Sequence, residues 1–119
     1  MARALCAVRP DDELFCEHSF EDGIPLNMRK PLMAGNWKMN GLKRDAEALA
    51  TGVAERVAGM AGVEIVVCPP FPHLSRVAAI LEQTGIAVGA QNCADAGQGA
   101  RTGEVAADML VDLGLTHVI

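Results

Sequence analysis

The sequence predicts an α/β fold in which short parallel strands alternate with amphipathic helices. Short apolar stretches begin near residues 33, 63, 86 and 116. The segments between them carry apolar side chains at helical spacing, and glycine or proline separates neighbouring elements. Such alternation is typical of right-handed βαβ units, whose strands form one parallel sheet.

The first strand is predicted over residues 31–37 and the first helix over about residues 43–59. Gly59 and Gly62 are expected to end this helix. Its apolar side chains recur on one side, which predicts a buried stripe: Ala46, Leu49, Ala50, Val53 and Val57.

The second strand is predicted over residues 63–68, because a continuous β-branched run is typical of a strand covered on both faces. Pro69 and Pro70 end it, and Pro72 suits the first turn of a second helix that runs to about residue 84. That helix has its own predicted stripe: Leu74, Val77, Ala78 and Leu81.

The third strand is predicted over residues 86–90, and a polar, glycine-rich loop follows over residues 91–103. Glu104 is expected to open a third helix that ends at Gly114. Its predicted stripe is Ala106, Met109, Leu110 and Leu113. A fourth strand is predicted from residue 116, and the given sequence stops inside it.

Two architectures fit this order of elements, an open doubly wound sheet and part of a (β/α)8 barrel. The first turn, residues 35–41, lacks the Gly-x-Gly-x-x-Gly pattern of a dinucleotide-binding fold, and it is not a P-loop. The pattern therefore favours the barrel.

Composition excludes several function classes. The 119 residues include 10 basic and 15 acidic side chains, a net charge of −5, which does not suit nucleic-acid binding. No apolar run approaches the roughly 20 residues that cross a membrane. The cysteines lack the spacing of a metal site, and without an export signal they indicate reduced thiols in a cytoplasmic protein: Cys6, Cys16, Cys68 and Cys93.

The first 27 residues differ from the rest. They hold two basic and six acidic side chains, so almost all of the net charge lies there. They lack the apolar core of a secretory signal and are too acidic for a transit peptide. We expect residues 1–27 to be a disordered or misassigned leader, Met28 to be the true start, and residues 28–119 to form the domain.

Two polar residues at the end of the first strand are the strongest functional candidates. Ligands bind at the carboxyl ends of strands in parallel α/β folds. Lys38 there supplies positive charge for a phosphate or a developing oxyanion, and Asn36 points in the same direction along the strand. A solvated surface lysine and a turn asparagine are the alternative interpretations.

Residues 29–41, which read Arg-Lys-Pro-Leu-Met-Ala-Gly-Asn-Trp-Lys-Met-Asn-Gly, closely resemble the opening of the triosephosphate isomerase family. Residues 68–71, 89–92 and 102–104 are similar to the next landmarks of that family, in the same order. The resemblance spans residues 29–119. It implies a TIM (β/α)8 barrel, of which this chain holds about three and a half βα units.

The resemblance also implies an activity, the interconversion of dihydroxyacetone phosphate and glyceraldehyde 3-phosphate without metal or cofactor. Asn36 and Lys38 match residues that bind this phosphorylated triose, and Lys38 matches a catalytic residue that stabilises phosphate and enediolate charge. A homodimer is implied for the full-length protein. The residues that match its support of dimer and active site are Met39, Gln91, Thr102 and Glu104.

The sequence departs from the family pattern as well. Arg101 stands where an aromatic residue is usual, and the sequence stops before the segment that carries the family's catalytic histidine and glutamate. We therefore expect this chain alone to be inactive. A non-catalytic half-barrel that assembles or binds, and a different phosphosugar enzyme, are the alternatives. Of the histidines, His73 is expected to cap or solvate a helix start, and His117 to lie in the core or in the barrel interior.

Overall fold

The structure, a computed structural model, describes residues 30–119. Several of the predictions fall outside the described residues: the leader over residues 1–27, the start at Met28, and the reduced state of Cys6 and Cys16.

The described residues form four strands and three helices in the predicted alternating order. Their bounds are β1 Leu32–Asn36, α1 Lys43–Val57, β2 Glu64–Cys68, α2 Leu74–Leu81, β3 Ala87–Ala90, α3 Ala107–Asp112 and β4 His117–Val118. One turn of 3-10 helix, Phe71–His73, directly precedes α2. No helix within this part of the chain is long and apolar enough to cross a membrane.

Strand order decides between the two predicted architectures. All neighbouring strands are parallel, and their order in the sheet is β1-β2-β3-β4, the same as along the chain. In a doubly wound sheet the order of the strands reverses at a switch point, so the first strand lies inside the sheet. Strands that follow one another without reversal are the pattern of a barrel. The chain forms the N-terminal part of a TIM barrel, as the resemblance implied.

The core lies between the helices and the face of the sheet that they cover. Because side chains alternate along a strand, Val67 and Val88 point to the helices and pack in one buried cluster with Ala90. The helical stripes supply the other side of this cluster, whose buried members include Ala46, Ala50, Leu74, Val77, Leu81 and Leu110. Most of the predicted stripe of α2 is buried, as expected.

At the β1 end of the sheet, burial is less complete than the pattern predicts. Leu49 of α1 is 47% exposed, so its assignment to the buried stripe is wrong. All five residues of β1 are exposed, including Met33 at 63%. The physical reason is position, because β1 is the edge strand and no described element packs beyond it.

The third helix is shorter than predicted. It begins at Ala107 rather than Glu104, and it leaves Met109 and Leu113 exposed. The backbone N–H of Ala94 donates a hydrogen bond to the carbonyl of Val105 at 2.8 Å. Val105 lies in the predicted first turn, where its carbonyl would accept a hydrogen bond within the helix. It accepts from Ala94 instead, and α3 starts only after Val105.

On the face away from the helices, β3 has no side chain at Gly89. A Cβ atom there would lie 3.0 Å from Sγ of Cys68 and 3.1 Å from Cβ of His117, so the flanking strands close over this position. His117 is 7% exposed, which confirms the prediction that it is buried. Its Nδ1 lies 2.8 Å from the Thr116 hydroxyl, and its Nε2 lies 3.6 Å from a carboxylate oxygen of Glu64.

Candidate active site

The carboxyl ends of β1, β2 and β3 meet at one edge of the sheet, as parallel strands require. The segment between β1 and α1, residues 37–42, is called here the lysine loop because it carries Lys38. The segment after β3 begins with Gln91, whose side chain reaches the lysine loop across 53 positions of sequence. The structure thus brings together Asn36, Lys38 and Gln91 from the predicted set.

Lys38 has an unusual backbone conformation. Its φ is +54°, and it is the only non-glycine residue with positive φ in residues 30–119. A side chain with a Cβ atom is strained in this left-handed region by about 1–3 kcal/mol, and such strain is concentrated at functional sites. The conformation sends the chain out of β1 in a sharp turn.

Four hydrogen bonds hold the strained residue and the start of its loop. The Lys38 N–H donates to Oδ1 of Asn36 at 2.8 Å. Nε2 of Gln91 donates to the carbonyls of Lys38 and Cys68, both at 2.8 Å. The Trp37 N–H also donates to the Cys68 carbonyl, at 3.1 Å. Both backbone polar groups of Lys38 are therefore engaged, and the lysine loop is tied to the end of β2.

The charge of Lys38 is free for an anion. The residue is exposed, and it takes part in none of the ion pairs among residues 30–119. Because Oδ1 of Asn36 already accepts a hydrogen bond, its side-chain NH₂ group is the part that can donate to a ligand. The edge of the sheet thus offers one cation and one amide donor, a combination that suits a phosphate or an oxyanion.

The thiol below this edge adds no charge. Cys68 ends β2 and is fully buried. Burial raises the pKa of the Cys68 thiol, and a hydrogen bond with the Gly89 backbone offsets part of that rise. The neutral thiol leaves the positive charge of Lys38 uncompensated.

The far end of the lysine loop shows a contact that sequence reasoning missed. Nε2 of His73 lies 3.1 Å from the carbonyl of Gly41, which has φ of +90°. His73 occupies the N-cap position of α2, but its side chain makes no cap hydrogen bond there and instead reaches the lysine loop. The partners are 32 positions apart, so no local pattern could have indicated the contact.

The remaining predicted residues lie on exposed surface. Met39 is 95% exposed, directly after Lys38. Thr102 and Glu104 are exposed in the loop after β3, and no hydrogen bond joins their side chains to described residues. Arg101, which stands where an aromatic side chain was expected, instead donates to Asp95 at 2.6 Å and braces this loop internally.

Residues 30–119 support neither a metal site nor a second site for a phosphate. Residues 30–119 contain no group of histidine, cysteine or carboxylate side chains that fits a metal ion. A cavity of about 600 Å³ opens between α2 and α3, at the opposite end of the strands. Carboxylates of Glu82 and Asp112 line this cavity and no cationic side chain does, so its charge opposes phosphate binding.

Known proteins match this chain closely. The model of the family described as triosephosphate isomerase matches residues 31–119. The triosephosphate isomerase of Symbiobacterium thermophilum is 49% identical over 92 residues, which make up 77% of this chain and 36% of that protein. That of Magnetococcus marinus is 46% identical over 93 residues, again 77% and 36%.

The match is partial on the side of the relatives. The triosephosphate isomerase of Gluconacetobacter diazotrophicus is 43% identical over 91 residues, 76% of this chain and 37% of that protein. The chain thus spans little more than a third of the length of these relatives, while the family match covers nearly all of its described residues. The chain belongs to the triosephosphate isomerase family.

Proposed function

We propose that the edge of the sheet around Lys38 binds a triose phosphate and forms part of the active site of a triosephosphate isomerase. The observation that carries this proposal is the strained, exposed and unpaired Lys38, held by hydrogen bonds to both of its backbone polar groups. Strain of this kind persists only where the surroundings fix it, and it is a feature of functional sites.

Lys38 and Asn36 have complementary tasks in this proposal. The ammonium group of Lys38 attracts the phosphate and stabilises the negative charge that develops on oxygen in the enediolate. The NH₂ group of Asn36 donates a hydrogen bond to the same ligand and fixes its orientation. Because the backbone of Lys38 is held before the ligand arrives, only its side chain has to be ordered on binding.

Gln91 acts through Lys38 rather than on the ligand. Replacing Gln91 by leucine removes the donor to the Lys38 and Cys68 carbonyls, while it keeps a similar volume. We expect affinity for dihydroxyacetone phosphate to fall about tenfold, close to 1.4 kcal/mol, as measured by NMR titration. Gln98→Leu is the matched control, since Gln98 is exposed and no hydrogen bond of its side chain is present. Equal affinities of the two variants would remove Gln91 from the site.

Proton transfer requires acid and base groups, and none is bonded to the lysine loop next to Lys38, since Asp45 and His73 contact only its far end at Leu42 and Gly41. Isomerisation of a triose phosphate needs a base at carbon and an acid at oxygen. The side chains bonded to the lysine loop near Lys38 are the amides of Asn36, Asn40 and Gln91, which do not take up protons. We propose that the base and the acid come from protein outside residues 30–119.

The 119-residue chain is accordingly expected to bind the substrate without converting it. A coupled assay with dihydroxyacetone phosphate should show no turnover above the buffer rate. Turnover that disappears in Lys38→Ala would contradict this expectation, because it would mean that the chain carries its own base. Turnover that persists in Lys38→Ala would identify a contaminating enzyme.

We also propose a dimer for the full-length protein, supported by Met39, Thr102 and Glu104. Met39 is 95% exposed beside a charged site, and a second subunit that covers it would remove this apolar side chain from water. Thr102 and Glu104 lie on the exposed loop after β3. The hydrogen bond from Arg101 to Asp95 holds this loop together, so it can present both side chains to a second subunit. A cytoplasmic location is proposed from Cys68 and Cys93, which are both free thiols.

A further inference from the structure

The contact between His73 and Gly41 joins two βα units at the active-site edge. The Gly41 carbonyl only accepts hydrogen bonds, so Nε2 of His73 must carry the proton of this contact. The imidazole is therefore present with a protonated Nε2. The contact thus fixes which ring nitrogen carries a proton.

His73 is placed by rigid neighbours. It ends the 3-10 turn, and its own N–H donates to the Pro70 carbonyl at 2.9 Å. Pro72 before it restricts the backbone, and Leu74 after it is buried in the core. The imidazole thus presents a fixed donor to the lysine loop.

Gly41, near the far end of the lysine loop, is held by the contact with His73. Gln91 and Asn36 fix its beginning, at Lys38, but neither reaches Gly41. Glycine adopts many backbone conformations at little cost, so nothing intrinsic keeps Gly41 at φ of +90°. Leu42 after it is held within the first βα unit by the Asp45 carboxylate and by the first turn of α1, whereas the His73 bond ties Gly41 itself to the second βα unit.

We infer that His73 is a positioning residue, which holds the far end of the lysine loop and thereby keeps Lys38 in its binding conformation. This inference rests on the proposed function of Lys38 and assigns His73 a part in it. His73 itself does not contact the ligand in this account.

The chain offers a matched control. Arg76 donates to a carboxylate oxygen of Glu47 at 2.9 Å and also links α2 to the first βα unit, but through α1 rather than through the lysine loop. A purely structural role of His73 would make His73→Leu and Arg76→Leu equivalent. A positioning role makes only His73→Leu affect Lys38.

The experiment compares the 119-residue chain with His73→Leu, His73→Gln and Arg76→Leu by heteronuclear NMR, with thermal unfolding as the control for folding. We expect His73→Leu to shift or broaden the amide signals of Lys38 and Gly41. We also expect it to lower affinity for dihydroxyacetone phosphate by about threefold to tenfold, the range of one hydrogen bond. His73→Gln retains a donor, so it should restore most of the amide signal positions and most of the affinity. Arg76→Leu should change neither the signals nor the affinity.

Several results would overturn the inference. Unchanged Lys38 and Gly41 signals in His73→Leu would do so, and so would equal changes in Arg76→Leu. If His73→Leu fails to fold, the imidazole nitrogen shifts of the unmodified chain decide, because a proton on Nδ1 alone contradicts the contact. If the unmodified chain does not bind the ligand but His73→Leu still releases Lys38, the proposed function fails and the positioning contact stands.

Discussion

Lys38→Gly is expected to make the chain more stable and to abolish its binding of dihydroxyacetone phosphate. The left-handed backbone at φ of +54° strains a lysine by about 1–3 kcal/mol, and glycine has no such strain. Glycine loses about 0.5–1 kcal/mol more conformational entropy on folding. Strain relief is the larger effect, so we expect the free energy of unfolding to rise by about 1 kcal/mol.

Lys38→Ala separates the two effects. Alanine removes the charge but keeps the Cβ atom, so binding should be lost with stability close to that of the unmodified chain. Urea unfolding measures the stabilities and NMR titration the affinities. A Lys38→Gly variant that is less stable than Lys38→Ala would show that the loop is not strained. Retained binding in Lys38→Ala would remove Lys38 from the site.

Leu81→Ala is expected to have the largest effect on stability. Leu81 is 2% exposed and lies in the cluster that joins α2 to the sheet. Truncation of a buried leucine typically costs about 2–5 kcal/mol, through lost burial and the cavity that remains. In a domain of this size such a loss is a large part of the total stability. Urea unfolding should show a much lower midpoint or no folded baseline.

Leu49→Ala is the matched control for this prediction. The same truncation on α1 removes a side chain that is 47% exposed, so we expect a change within about 1 kcal/mol. The sequence pattern alone places both leucines on buried stripes and predicts equal losses. Similar costs at the two positions would mean that another part of the protein covers α1.

Local sequence was sufficient for the order of elements and for most of the core. Stripes such as that of α2 and breaks such as Gly85, with φ of +73°, are local properties of the chain. Exposure of Leu49 was not predictable, because it depends on which elements stand beside α1. The late start of α3 was missed for a similar reason, since it depends on a hydrogen bond from Ala94 to Val105.

In the candidate site, too, local sequence locates some residues, while contacts between distant segments determine the rest. Lys38 and Asn36 could be located from the sequence, because a parallel sheet places its functional groups at strand ends. The positive φ of Lys38 and its hydrogen bond from Gln91 arise from contacts between distant segments. The resemblance indicated that Gln91 supports the site, but not how. His73 carries no such indication, since a histidine at a helix start is ordinary.

Titration of the unmodified 119-residue chain with dihydroxyacetone phosphate, followed residue by residue by NMR, shows whether the edge of the sheet around Lys38 binds a triose phosphate. We predict saturable shifts centred on Asn36, Lys38 and Gly41, which weaken as salt screens the lysine charge. Absence of shifts there would contradict the claim. So would shifts centred on the cavity between α2 and α3, at residues 85–88 and 112–116, because that would place the ligand at the opposite end of the strands.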